Sequence, residues 1–70
     1  MEKLPPKSGI EVMKTFFRMG FKRIRVRGSH HVFLKGNIKV TIPLKLKKGT
    51  LRGIIKDAGI TVKEFLENDP

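Results

Sequence analysis

The sequence predicts an α+β fold, a three-stranded antiparallel sheet with helices on one face, in the order α-β-β-β-α-α. Three observations predict it. Apolar residues recur at helical spacing at Ile10, Met13, Phe16 and Phe17, and again at Leu51, Ile54, Ile55 and Ala58. Between these stretches the period drops to two, in Ile24-Arg25-Val26-Arg27 and in Ile38-Lys39-Val40-Thr41-Ile42. Gly28-Ser29 and Gly36-Asn37 then divide the middle of the chain into three strand-length pieces. Strands joined by such short turns form a meander, and the helices must cover one of its faces. Seventy residues are read as one domain, 1–70.

Each element has a local reason. Residues 1–7 contain Pro5-Pro6 and read as an extended lead-in, because a residue before proline is pushed away from helical geometry. Ser8 followed three residues later by Glu11 has capping-box spacing, so the first helix starts there. Gly20 is placed to end it. The first strand covers 21–27, with Arg23, Arg25 and Arg27 alternating with Ile24 and Val26. The second covers 30–35, and Gly36-Asn37 offers two residues able to take positive φ in a hairpin turn. The third strand ends at Pro43. After a basic loop, Thr50 is the expected N-cap of a second helix over 51–58, closed by Gly59. Thr61 and Glu64 repeat the capping-box spacing and start a third helix.

Charge narrows the function. Sixteen Lys and Arg oppose six Asp and Glu, a formal net charge of +10. Between Glu11 and Asp57 there is no acid at all, while 13 basic residues fall in that interval. A long stretch of one sign points to a polyanionic partner, nucleic acid first and an acidic protein second. The open sheet face should carry Arg23, Arg25 and Arg27 from the first strand and Lys39 and Thr41 from the third. No run of about 18 apolar residues is present, so no membrane partner is expected. MEKLPPKSG lacks the apolar stretch of a signal peptide, and a cytoplasmic setting is expected. There is no cysteine, hence no disulfide or thiolate metal site.

The two histidines, His30 and His31, stand together in Gly28-Ser29-His30-His31. Adjacent strand residues point to opposite faces, and no acid is close in sequence, so neither a metal nor another cofactor is expected. A structural role is one reading of such a pair, with one histidine half-buried and hydrogen-bonded and the other solvated. The other is proton transfer: histidine exchanges protons near neutral pH, and surrounding cations stabilise charge on phosphate oxygens. Val32 and Leu34 share one parity while Phe33 has the other, so periodicity leaves open which histidine lies on the open face.

Three blocks carry a family resemblance across nearly the whole chain: LPPKSG with the following EV, MGFKRIRVRGSHHVF, and VTIPLKLKKGTLRGIIKDAGITVKEFL. The chain resembles the HicA-type (YcfA-like) toxins of toxin–antitoxin systems. That resemblance implies a double-stranded-RNA-binding-like fold and an endoribonuclease that cleaves mRNA and is restrained by a HicB-type antitoxin. It singles out His30 as the catalytic residue, with Gly28 important beside it. Ser29, His31, Arg23, Arg25, Arg27, Lys39, Lys47, Lys48, Thr50 and Arg52 are the expected supporting or RNA-binding residues. Many members have a histidine after the proline that ends the third strand; here Leu44 follows Pro43. The alternative is a non-catalytic RNA-binding module of the same fold, since such domains bind by shape and phosphate contacts alone. A third is a domain that binds only an acidic protein.

Overall fold

The computed structural model describes residues 6–47 and 49–69. Most of the expected lead-in, and Lys48, lie outside the described residues. The elements are α1 (Gly9–Arg18), β1 (Lys22–Arg27), β2 (His30–Lys35), β3 (Ile38–Pro43), α2 (Thr50–Asp57) and α3 (Val62–Glu67). The fold is therefore α+β in the predicted order.

Both predicted capping boxes form. The Ser8 hydroxyl accepts from the Glu11 amide at 3.2 Å, and the Glu11 carboxylate accepts from the Ser8 amide at 3.0 Å. Thr61 and Glu64 do the same at the start of α3. The Ser8 amide hydrogen bond, then the Ser8 hydroxyl, holds the Glu11 carboxyl below its ordinary pKa. The start of α2 departs from expectation. Its N-cap is Gly49, in the left-handed region at φ 89°, and Thr50 is already helical. The Thr50 amide donates to the Lys47 carbonyl, so the chain turns into the helix before Thr50 and no side chain caps it.

The sheet order is β1-β2-β3, all antiparallel. Both hairpins close with two-residue loops, Arg27 pairing with His30 and Lys35 with Ile38. Gly28 and Gly36 each sit at φ 59°, while Ser29 and Asn37 do not take positive φ. Glycine at the first central position alone is the pattern of a type II′ turn, rather than one with two positive-φ residues.

Phe33, Val40 and Ile42 are buried on the face that the helices cover, together with Val12, Phe16, Ile54, Ile55 and Phe65. Phe16 meets Phe21 and Phe65 edge-on, with ring centroids 5.0 and 6.1 Å apart. Each fully buried Phe contributes about 1.5–3 kcal/mol of apolar burial. The helices pack mainly on β3, and every residue of the edge strand β1 is exposed. Thr15 is a buried polar residue, and its hydroxyl donates to the Glu11 carbonyl. Lys35 crosses to donate to the Met19 carbonyl at 2.7 Å, closing the end of α1.

Candidate functional site

Register settles which side chains share a face, because residues directly opposite in an antiparallel pair lie on the same side of the sheet. Phe33 pairs with Val40, and His31 pairs with Ile42. His31 is therefore on the helix side, and His30 is on the open side. His30 has Arg27 opposite it on β1 and Pro43 opposite it on β3. The next row of the open face is Arg25, Val32 and Thr41, and the row after that is Lys22, Leu34 and Lys39. All these cationic residues, and His30 itself, are exposed.

The arginine series does not stay together. The pairing shifts between Arg23 and Arg25, so Ile24 is an extra residue in β1. This bulge puts Arg23 opposite Phe33, on the helix side, while Arg25 and Arg27 remain on the open side. The expectation that all three arginines share the open face is thus corrected: a single inserted residue reverses the parity of everything before it. The same reversal brings Lys22, which strict alternation would place on the other side, onto the open face beside Lys39. Arg23 instead lies over the Phe17 ring, 5.9 Å from its centroid. Its guanidinium donates to Nδ1 of His31 at 3.5 Å, a long contact that requires Nδ1 to accept.

The surroundings of His30 are built by two backbone approaches. The Leu44 amide donates to the Ser29 carbonyl at 2.7 Å, which ties the end of β3 to the turn that carries His30. The Gly9 amide donates to the Leu44 carbonyl at 3.2 Å. A Cβ on Gly9 would lie 2.3 Å from the carbonyl oxygens of Pro43 and Leu44, so α1 docks here only because Gly9 has no side chain. The sequence carries one faint signal for this, a glycine at the first helical position. Gly28 has open space around it, so a ligand can approach the backbone before His30.

Lys39 stands at the far end of the face. It pairs with Leu34, four residues along β2 from His30, or about 13 Å at strand rise. His30 and Lys39 therefore stand too far apart to meet on one small group. Lys47, Thr50 and Arg52 belong to the start of α2 and the loop before it, and α2 packs on the helix side of β3. The structure does not gather them around His30. Among the described residues, no three His, Cys, Asp or Glu side chains come together in a group that could hold a metal ion. Among the described residues, no helix is long and apolar enough to cross a membrane.

An exposed histidine beside a glycine turn, with Arg27 and Arg25 on the same uncovered sheet face, defines a small domain with a basic open face. The family described as the HicA toxin of bacterial toxin-antitoxin matches residues 9–60, a span that includes α1, the sheet and α2. The chain belongs to that family: it is the toxin of a toxin–antitoxin system and pairs with an antitoxin. No curated relative matches it.

Proposed function

We propose that this toxin is a metal-independent endoribonuclease that cleaves cytoplasmic mRNA on its open sheet face, with His30 as the proton-transfer residue and a HicB-type protein as its antitoxin. The observation that supports it most is the shared face of His30, Arg27 and Arg25. His30 is exposed on that face, where an RNA strand can reach its ring.

In this reading the imidazole of His30 takes the proton from an RNA 2′-hydroxyl. The resulting oxygen attacks the adjacent phosphorus, and the bond to the 5′-oxygen breaks. The leaving oxygen takes a proton from water or from the protonated imidazole. Arg27 neutralises charge on the non-bridging oxygens, which is greatest in the transition state. Gly28 and Ser29 let the phosphate approach the backbone. Arg25, Lys22 and Lys39 hold neighbouring phosphates and orient the strand without reading bases. Lys47, Thr50 and Arg52 would engage a separate stretch of the RNA, and Lys48 would add a further phosphate contact. The face carries no acid, since none occurs between Glu11 and Asp57, and this donor set favours chemistry by imidazole and guanidinium over metal-bound water.

The test is cleavage of a mixed-sequence RNA by purified protein in the presence of a chelator. The wild type should cut, and His30→Ala should lose about 10²–10⁴-fold in rate with RNA affinity within a few-fold. RNA bound with salt-sensitive affinity but left intact by the wild type would instead identify a non-catalytic binding module.

A further inference from the structure

The helix side of β1 has no role in the proposed RNA cleavage, and its composition differs from that of the open face. Val26 pairs with His31 and so faces the helix side, yet no helix covers it and it is 52% exposed. Phe17 on α1 is 47% exposed although its ring meets Phe33 edge-on at 5.0 Å. Arg23 spans the two, lying over Phe17 and reaching His31. Phe17, Arg23, His31 and Val26 therefore form one continuous ledge along the sheet's edge. Ile10 and Lys14 share the face of α1 that carries Phe17, at helical spacings of seven and three residues, and Ile10 is 54% exposed. Half-exposed apolar side chains grouped in this way mark an interaction surface rather than ordinary surface scatter.

Charge decides the occupant. The ledge contains Arg23, and Lys14 shares the face of α1 that carries Phe17, with no acid in the sequence from residue 12 to residue 56. A second copy of the chain would bring these cations against one another, each copy carrying a formal +10. RNA would satisfy the cations but leave Val26 and Phe17 facing phosphate and sugar. A protein segment with apolar side chains flanked by Asp or Glu fits both features.

We infer that the antitoxin docks an acidic segment with an apolar centre on the ledge formed by Phe17, Arg23 and Val26, on the opposite side of the sheet from His30. This rests on the open face being the RNA face. It separates the two interactions, leaving His30 and its arginines to RNA or to a further part of the antitoxin. The Ile24 bulge is what makes this possible, because it assigns Arg23 to one partner and Arg25 and Arg27 to the other.

The experiment titrates the chain with two probes: its partner antitoxin, and a mixed-sequence single-stranded RNA. Val26→Asp and, separately, Arg23→Glu should weaken antitoxin binding at least tenfold, while Val26→Ile retains it. Val26→Asp should leave RNA affinity within about threefold. The double variant Arg25→Ala with Arg27→Ala should show the reverse order, weakening RNA binding more than Val26→Asp does and antitoxin binding less than Val26→Asp does. Val26→Asp and Arg23→Glu both binding antitoxin within threefold of wild type would overturn the inference. So would antitoxin loss confined to the open-face variant, or RNA affinity that falls more with Val26→Asp than with that double variant. If the antitoxin pattern holds while the wild type neither binds nor cuts RNA, the docking ledge stands and the ribonuclease reading falls. If cleavage depends on His30 while antitoxin binding is indifferent to Val26, the ribonuclease reading stands and the docking ledge falls.

Discussion

The two faces of this sheet are made from the same three strands and share almost no chemistry. The open face holds His30, Arg25, Arg27, Lys22 and Lys39 around a half-buried strip of Val32 and Leu34. The covered face holds Phe33, Val40 and Ile42 in the core, then thins at its β1 edge to His31, Arg23 and Val26. Neighbouring histidines thus occupy different environments. His30 stands between Arg27 and Pro43 on the cationic face, with space in front of the preceding glycine. His31 is partly covered and receives Arg23. The difference teaches that a charge series read along a strand is not a surface until pairing has assigned each residue a side.

The sharpest way to break this comparison is to treat the histidines separately. His30→Ala should abolish most RNA cleavage, by about 10²–10⁴-fold, whereas His31→Ala should keep the rate within about tenfold. Equal losses in single-turnover assays would mean that the two sides are not functionally distinct. Gly9→Ala comes next. Its methyl group would collide with the Pro43 and Leu44 carbonyls, beside the strand end that faces His30. Overpacking of this kind costs about 1–3 kcal/mol, a melting-temperature fall of roughly 4–8 °C per kcal/mol for a domain of this size. Calorimetry checks it, and an unchanged melting temperature would mean that α1 is free to shift off the strand.

A smaller effect concerns the cap that starts α1. Ser8→Ala should cost about 1 kcal/mol. The Glu11 half of the same box is pH-dependent, and the sign follows from its lowered pKa. Its contribution is present above the ordinary carboxylate range and fades as pH falls through the lower folded value. Acid titration of Glu11→Gln against wild type should show the stability difference closing as pH drops through that region. The smallest expected effect is the most discriminating for the bulge. Deleting Ile24 leaves Arg23 opposite Phe33 and Arg25 opposite Val32 in regular pairing, so both faces should be preserved and stability should change by about 0.5 kcal/mol or less. Cross-strand NOEs between residues 23 and 33 would verify it; Arg23 moving to the open face would refute the register.

Much of the fold was legible because its signals are local. Capping boxes act over three residues, and Ser8–Glu11 and Thr61–Glu64 formed as spaced. Both glycine turns fell where two residues had to join strands. Thr50 misled because Gly49 makes the turn itself, and a threonine after it looks like a cap in sequence. Gly9 and the Phe17–Val26 ledge were not legible, since each depends on contacts between residues far apart in the chain.

By itself, the sequence determined the order of elements, the starts of α1 and α3, the two hairpin turns and a 45-residue interval without an acid. Helical caps, turn propensity and charge are properties of neighbouring residues, so they survive in one dimension. Only the tertiary structure decided that His30 rather than His31 joins the open face, that Arg23 leaves the other arginines, and that β1 stays uncovered. Strand parity is relative: it has meaning only against the partner strand, and one inserted residue in β1 is enough to reverse it.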